Sequence, residues 1–240
     1  TVIIIGSASE IGKICALNFV NENFQSILFV KNKNSKHKLR QYLEKNTNKT
    51  NYEILCCDLL KRYQINNKLF NLNKKYKNIN ILINFAALNN KNNYKNNKSI
   101  LDEYKIKNFK RIFELNFFNN LYINNTYLKY FNKPKNKIFN ISTELSLTGS
   151  FNYPAYASSK AALDNTTMSL SKFYNKIFIY SLILPTLDTS FNRNKFKNKK
   201  RKLVNLISIF EIILMIITNK INIKTGDKLF IIGKNKYEIF

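Results

Sequence analysis

Two tyrosine–lysine pairs in the sequence have a spacing that could support proton transfer. Tyr156 and Lys160 are four positions apart, and so are Tyr94 and Lys98. On a helix this spacing puts both side chains on one face. A nearby ammonium favours the phenolate form of tyrosine, so such a pair could exchange a proton with a substrate oxygen. Only the first pair follows a strand-like run that ends in hydroxyl residues. We therefore interpret Tyr94 and Lys98 as a chance match.

A second candidate site lies near residue 6, where the apolar run TVIII ends at Gly6 and a helical pattern starts near Ile11. Glycine permits a tight turn at this point, and Gly12 would let the helix pack close to the sheet. The N–H groups at the N-terminus of a helix can hold a pyrophosphate. The pattern is compatible with a nucleotide-binding turn, although a plain strand–turn–helix connection would have the same glycines.

The remaining sequence alternates short apolar runs with helical patterns. Continuous apolar runs are typical of strands that are buried on both faces. Seven such strands are predicted, at residues 1–5, 26–30, 52–57, 79–85, 137–141, 177–184 and 228–232. Helices are predicted at 11–20, 37–44, 100–131, 155–174 and 203–218, with a polar loop at 89–99 and a basic loop or short helix at 191–202. This order predicts one α/β domain over residues 1–240, a Rossmann-like doubly wound parallel sheet of about seven strands with helices on both faces.

The composition excludes several kinds of site. The 240 residues include 40 Lys+Arg and 14 Asp+Glu, which gives a formal net charge of +26. This charge could indicate a nucleic-acid partner. However, Lys is abundant together with Asn, Ile and Phe, whose codons are A/T-rich, and the lysines are scattered. We therefore favour compositional drift and expect no nucleic acid. With 3 Cys, 1 His and no C-x-x-C spacing, we expect no disulfide framework and no metal site.

The sequence also bears on membranes and location. The most apolar later stretch, 203–218, is shorter than the ~20 residues of a membrane span, and Asn205 and Glu211 interrupt it. The apolar run at residue 1 has no preceding basic region of the kind found in secretory signals. We expect no membrane span. A cytoplasmic protein of bacterial type is expected, or one in an organelle lumen if the source is a eukaryotic parasite.

Taken in order along the chain, these motifs resemble the classical short-chain dehydrogenase/reductase family. The turn from Gly6 to Gly12 is similar to the family's T-G-x-x-x-G-I-G turn, with Ile5 for the threonine and Glu10 for the middle glycine. Further matches follow at Asp58, Asn84, Ala86, Asn116, Asn140 to Thr143, Tyr156 with Lys160, Pro185 and Thr225-Gly226. All 5 glycines of the chain, at positions 6, 12, 149, 226 and 233, fall on glycine positions of the family pattern.

The resemblance implies catalytic roles for four residues. Tyr156 would be the general acid, and Lys160 would lower the pKa of Tyr156 and bind the ribose of the cofactor. Asn116 would hold a water that relays protons to Lys160. Thr143 would donate its hydroxyl to the substrate oxygen. We prefer Thr143 to Ser142, because adjacent side chains on an extended strand point to opposite sides.

The resemblance also implies a nicotinamide cofactor. The residues expected to bind it are Gly6, Ser7, Ser9, Ile11, Gly12, Lys31, Asp58, Asn84, Ala86, Tyr156, Lys160 and Pro185. NADP-preferring sites place positive charge after the second strand, where NAD-preferring sites have an acid. Lys31 stands there, so we expect NADPH. A carboxylate beside a pyrophosphate is unfavourable, so we expect Glu10 to point to solvent.

The activity implied by the resemblance is NADPH-dependent reduction of a ketone to a secondary alcohol. The chain looks most like 3-oxoacyl-[acyl-carrier-protein] reductases of fatty-acid synthesis. The alternatives are a reductase of another alcohol or ketone, such as a sugar, polyol or polyketide, and a non-catalytic nucleotide-binding protein. A basic rim would attract an acidic carrier protein, and Lys133, Lys135 and Lys176 are candidates for it. By analogy with the family we expect a homo-oligomer, either a dimer or a tetramer.

Overall fold

The computed structural model describes residues 1–89, 103–197 and 202–240. The strands in these ranges are β1 (Val2–Ile5), β2 (Ser26–Val30), β3 (Tyr52–Cys56), β4 (Ile81–Asn84), β5 (Lys137–Thr143), β6 (Phe178–Leu184), β7 (Lys228–Gly233) and β8 (Lys236–Ile239). The helices are α1 (Glu10–Asn21), α2 (Lys33–Asn46), α3 (Arg62–Lys75), α4 (Glu103–Phe113), α5 (Asn119–Phe131), α6 (Leu145–Thr148), α7 (Pro154–Phe173), α8 (Ser190–Lys195) and α9 (Ile207–Ile217).

The described strands form one sheet in the order β3-β2-β1-β4-β5-β6-β7-β8. Every neighbouring pair from β3 to β7 is parallel, and β8 pairs antiparallel with β7. The predicted doubly wound α/β fold is confirmed, with one strand more than the seven predicted. β8 is short and mostly exposed, and it follows a turn at Asn235, whose φ is 53°. Its sequence therefore has no apolar run that could have revealed it.

Successive side chains of the parallel strands point to opposite faces of the sheet, and both faces are packed with apolar residues. In β1, Val2 and Ile4 pack on one face of the sheet, and Ile3 and Ile5 pack on the other. The first face is covered by buried residues of α1, α2 and α9, and the second by buried residues of α3 and α5. This two-sided burial is why the strands read as continuous apolar runs in the sequence.

Some helices were not predicted, among them α3, and others begin elsewhere than predicted. In both cases polar residues obscure the apolar residues at helical spacing. α3 has apolar residues at helical spacing, Ile65, Leu69 and Leu72, and all are buried, but Asn and Lys surround them. α2 begins at Lys33, earlier than predicted, because the Asn32 side chain caps it by accepting a hydrogen bond from the amide of Ser35. The short helix α6 was also missed.

The predicted helix at 100–131 is divided in the structure. It consists of α4, a π-helical segment at Glu114–Phe118, and α5. Tyr94 and Lys98 lie outside the described residues, as does most of the predicted polar loop at 89–99. Within the described ranges, no helix is both long enough and apolar enough to cross a membrane.

The two edge strands of the sheet differ in how far they are buried. β8 forms one edge of the sheet and is mostly exposed, whereas β3 forms the other and is half-buried. On β3, the Glu53 carboxylate accepts hydrogen bonds from the Lys75 ammonium at 2.8 Å and the Tyr76 hydroxyl at 2.9 Å. A charged side chain is therefore the second residue of the strand at this edge of the sheet.

We predict that Phe19→Ala lowers the free energy of unfolding by about 3–5 kcal/mol. Phe19 is fully buried, and its ring packs edge-on against Phe24 and Phe210, which joins α1 to α9. Phe173→Ala is the matched control, because Phe173 is 79% exposed and its loss should change stability by less than about 0.5 kcal/mol. Urea unfolding of both variants measures the difference, and equal midpoints would contradict the packing described.

Candidate active site

The turn between β1 and α1 is shaped by close backbone contacts. Gly6 has φ +77°, and a Cβ there would lie 2.7 Å from the amide nitrogen of Ala86. A Cβ at Gly12 would clash with the carbonyl oxygen of Gly6. Ser9 caps α1, since its hydroxyl accepts from the amide of Gly12 at 3.1 Å. Both glycines are therefore required by geometry, and the N-terminus of α1 faces the edge where the strands end.

A cleft of about 260 Å³ lies beside this turn, and we call it the nucleotide cleft. Gly6 and Ser9 line it from the turn, Lys31 from the end of β2, Asp58 from the end of β3, and Ala86 from the end of β4. The Ser7 hydroxyl points elsewhere: it is buried and donates to the carbonyl of Ile4 at 2.6 Å.

A second cleft of about 370 Å³, the reaction cleft, adjoins the first, because Phe85 and Ala87 line both. It contains the predicted catalytic residues Thr143, Tyr156 and Lys160 and the predicted cofactor residues Ile11 and Pro185. A ligand with a nucleotide part and a reactive part could thus extend from one cleft into the other.

Thr143 and Tyr156 come together in the reaction cleft. Thr143 ends β5, and Tyr156 lies in the first turn of α7, which begins at Pro154. Their side chains are near enough for the Thr143 hydroxyl to lower the pKa of Tyr156. The hydroxyl of Ser142, the alternative to Thr143, donates instead to the buried Asp164 at 2.7 Å. The hydroxyl that adjoins the tyrosine is therefore that of Thr143.

Burial, rather than Lys160, dominates the titration of Tyr156. Desolvation raises the pKa of Tyr156 to about 12; the Asp164 charge also raises it, and the Thr143 hydrogen bond lowers it. We expected Lys160 to lower the pKa of Tyr156, but the groups that shift this pKa do not include Lys160. A raised pKa keeps the phenol protonated at neutral pH, which is the form required of a general acid.

Lys160 is almost fully buried on the same face of α7 as Tyr156. Its ammonium donates to the carbonyl of Ile141 at 2.8 Å. Burial lowers the pKa of Lys160 to about 8, and the charge of Asp164 opposes this decrease. Lys160 can therefore gain or lose a proton near neutral pH, as a group in a proton relay must.

Asp164, one turn beyond Lys160, was not identified from the sequence. Its Oδ2 accepts hydrogen bonds from Ser142 at 2.7 Å and from Ser146 of α6 at 2.6 Å, and the side chain is buried. It thereby ties together α7, the end of β5 and α6. A signal was present in the sequence, because Tyr156, Lys160 and Asp164 share a four-residue spacing in a chain that is poor in acids.

Asn116 lies in the π-helical segment and is fully buried. Its Oδ1 accepts from the amide of Leu88 at 2.7 Å, and its Nδ2 donates to the carbonyl of Leu88 and to the hydroxyl of Ser159. A π-helical turn is often found at functional sites. The Asn116 side chain therefore holds Leu88, in the segment after β4, close to Ser159, which precedes Lys160 in α7.

A chain of asparagines extends from Asn116 toward the nucleotide cleft. The carbonyl of Asn116 accepts from Asn120, and Asn120 accepts from Asn84 at 2.6 Å. Asn84 in turn accepts from the amide of Ala86, which lines the nucleotide cleft. Asn84 is buried, so its side chain shapes this cleft through Ala86.

The family model for short chain dehydrogenases matches residues 1–200 of the chain. The chain belongs to the short-chain dehydrogenase family. It is therefore an NAD(P)-dependent oxidoreductase. None of the curated proteins that were compared with the chain matches it significantly.

Three solved structures illustrate the shared fold of this short-chain dehydrogenase. ElxO with NADP bound is 18% identical, with 97% of this chain and 96% of that chain covered and a TM-score of 0.81. Ligand-free aldohexose dehydrogenase of Thermoplasma acidophilum is 18% identical, with 98% and 92% covered and a TM-score of 0.77. A protein from Haemophilus influenza described as a D-mannonate oxidoreductase, with NAD bound, is 19% identical, with 95% and 92% covered and a TM-score of 0.79.

The site residues fit the nicotinamide cofactor of a short-chain dehydrogenase. At Gly6 and Gly12 a side chain would clash with neighbouring backbone, so the turn stays open at the N-terminus of α1, where a pyrophosphate is favoured. Such a cofactor supplies or accepts the hydride. Tyr156 and Thr143 share the reaction cleft and would be the candidates to supply the proton. Among the described residues, no group of three or more His, Cys, Asp or Glu could hold a metal ion.

Glu10 is partly exposed, and its carboxylate also accepts hydrogen bonds from the amide and hydroxyl of Ser190. One expectation about charged residues was wrong. Lys133, Lys135 and Lys176 do not border the reaction cleft. They lie before β5 and β6, at the amino edge of the sheet, whereas the cleft lies at the carboxyl edge.

We predict that Asp164→Asn moves the alkaline limit of carbonyl reduction to lower pH, by about one pH unit. Wild-type activity should fall as the pH rises through about 8, where Lys160 loses its proton. The Asp164 charge raises the pKa of both Lys160 and Tyr156, so its removal lowers both values. The measurement is kcat/KM against pH.

Ser146→Ala is the control for this prediction. It removes one hydrogen bond to the Asp164 carboxylate but keeps the charge, so the alkaline limit should not move. If both variants move the limit equally, the charge of Asp164 does not tune the site.

Proposed function

We propose that this chain reduces a ketone to a secondary alcohol with NADPH, and that its substrate is a 3-oxoacyl group on acyl-carrier protein. The observation that carries the proposal is that Thr143 and Tyr156 line one cleft, which adjoins the nucleotide cleft at Phe85 and Ala87. A carbonyl oxygen placed between the two hydroxyls would receive the proton of Tyr156 as hydride reaches its carbon.

Charge supports a carrier-bound substrate. Exposed basic residues lie on and just after α8 at the reaction cleft, namely Arg193, Lys195 and Lys197. Lys195 lines the cleft itself. An acidic carrier protein would be attracted to this side of the molecule, in place of the rim expected at Lys133, Lys135 and Lys176.

The polar lining of the reaction cleft favours a second candidate, a sugar or polyol substrate. Glu144, Asn152 and Asn192 line it together with Thr186, whose hydroxyl donates to Glu144 at 2.7 Å. These groups could bind several hydroxyls of one ligand. Either substrate agrees with an oxidoreductase of this family. A non-catalytic role is disfavoured, because Tyr156, Lys160 and Asn116 are all retained.

The preference for NADPH is part of the same proposal. Lys31 and Arg111 both line the nucleotide cleft, and Ser35 lies with them. Val30, the last residue of β2, stands where an acid would bind the 2′-hydroxyl of NAD. The positive charge of Lys31 after the end of β2 would favour the 2′-phosphate.

We also propose that the chain works as a homo-oligomer, a dimer or a tetramer. The proposal rests on analogy with the family and on exposed apolar side chains, among them Leu147, Phe151 and Ile207. Cytoplasmic or organelle-lumen location likewise remains a proposal from composition.

The wild-type chain should oxidise NADPH in the presence of acetoacetyl-acyl-carrier protein, as followed by absorbance of the nicotinamide. Tyr156→Phe removes the acidic proton and should lower kcat by about 10²–10⁴-fold while NADPH still binds. A panel of aldoses and polyols with NADP tests the second candidate. Turnover of a sugar without turnover of the acyl substrate would replace the first proposal by the second. Tight NADPH binding without any turnover would favour a binding protein.

Lys31→Glu should raise KM for NADPH about tenfold or more and lower the preference for NADPH over NADH, because the acid repels the 2′-phosphate. Lys45→Glu makes the same charge change at the far end of α2, where the side chain is exposed and distant from the end of β2. It should leave both KM values within about twofold. Equal effects of the two variants would indicate a general charge effect and not a specific contact.

A further inference from the structure

Glu10 joins two parts of the chain that are far apart in sequence. Its carboxylate accepts a hydrogen bond at 2.9 Å from the amide of Ser190 and another at 2.5 Å from the Ser190 hydroxyl. Glu10 is the first residue of α1, in the turn of the nucleotide cleft, and Ser190 is the first residue of α8. The contact therefore crosses from the cofactor side of the site to the substrate side.

The side chains of α8 are exposed or half-buried, so polar contacts contribute to holding it in place. The cap by Thr189 lies within this segment, and the backbone just before it pairs with Val204. From α8 itself, Lys195 donates to the Tyr153 hydroxyl at 3.2 Å. The contact of Glu10 with Ser190 holds the first residue of this helix to the first residue of α1.

The position of α8 determines the shape of the reaction cleft. Phe191, Asn192 and Lys195 line the cleft together with Tyr156. A shift at Ser190 would therefore move the wall that a substrate must contact, while Tyr156 and Thr143 stay on α7 and β5.

The surroundings keep Glu10 charged. The hydrogen bonds from Ser190 and the charges of Lys13 and Arg193 outweigh desolvation, and the pKa of Glu10 is lowered from its ordinary value. Arg193 also pairs with Asp188 at 3.2 Å on the segment that leads into α8. A carboxylate at position 10 thus completes a small set of opposite charges around the start of α8.

We propose that Glu10 is a positioning residue, which fixes α8 against the cofactor-binding turn and thereby holds the substrate wall of the reaction cleft. This inference rests on the proposed carbonyl reduction. It gives Glu10 a role that the family pattern, with glycine at this position, does not have.

The first test compares Glu10→Ala with Glu22→Ala. Glu22 follows the last residue of the same helix and is exposed, so its loss makes the same charge change away from α8. With acetoacetyl-acyl-carrier protein, Glu10→Ala should raise KM about tenfold and leave kcat within about twofold, whereas Glu22→Ala should change neither. An unchanged KM in Glu10→Ala, or an equal rise in both variants, would overturn the proposal.

A double-variant cycle tests whether the effect passes through Ser190. Ser190→Ala removes the hydroxyl donor but keeps the amide, so its KM should rise less than in Glu10→Ala. The combined variant should resemble Glu10→Ala alone, because both changes break one contact. Additive effects would show that Glu10 acts by another route.

Hydrogen exchange gives a readout that does not depend on catalysis. The amide of Ser190 donates to Glu10, so exchange at this amide and in residues 190–197 should become at least about tenfold faster in Glu10→Ala and stay unchanged in Glu22→Ala. Unchanged exchange in Glu10→Ala would overturn the proposal. If no carbonyl substrate is reduced but exchange still rises, the proposed function fails while the anchoring by Glu10 stands.

Discussion

The cost of burying the Lys160 ammonium organises the reactive half of this protein. An isolated charge is expensive to remove from water, so the surrounding residues must compensate it. The carbonyl of Ile141 accepts from the ammonium, and the carboxylate of Asp164 stands one turn away on α7. Asp164 in turn fixes Ser142 and Ser146, and Thr143 lies between these two residues in sequence. One buried cation is thus linked to the position of the hydroxyl that would contact a substrate.

Much of the fold could be predicted because strands that are buried on both faces appear in the sequence as continuous apolar runs. The run VIII of β1 and the runs of the other central strands are apolar without interruption, even in a chain so rich in Asn and Lys. β8 lacked such a run because it is exposed, and α6 was missed because it is only four residues long. In α3 the apolar residues were present at helical spacing but were diluted by polar neighbours.

The candidate site was predictable in its residues and less so in its contacts. The resemblance to the family indicated Tyr156, Lys160, Thr143 and Asn116. The first three line the reaction cleft, and Asn116 contacts Ser159, which precedes Lys160. The contact of Glu10 with Ser190 spans 180 positions, so no local pattern could indicate it. The buried asparagines could not be predicted for another reason. Compositional drift made asparagine common throughout the chain, so the sequence did not indicate which asparagines are buried.

The half-buried margin strand β3 has a consequence for how molecules of this protein meet one another. A strand at the margin of a sheet presents unpaired amide and carbonyl groups, which can template the addition of a strand from another chain. Glu53, the second residue of β3, places a carboxylate on this strand, where it accepts hydrogen bonds from Lys75 and Tyr76. Stacking of a second β3 in this place would have to desolvate that charge. A charge on an edge strand disfavours edge-to-edge aggregation, a consequence that concerns colloidal behaviour and not catalysis.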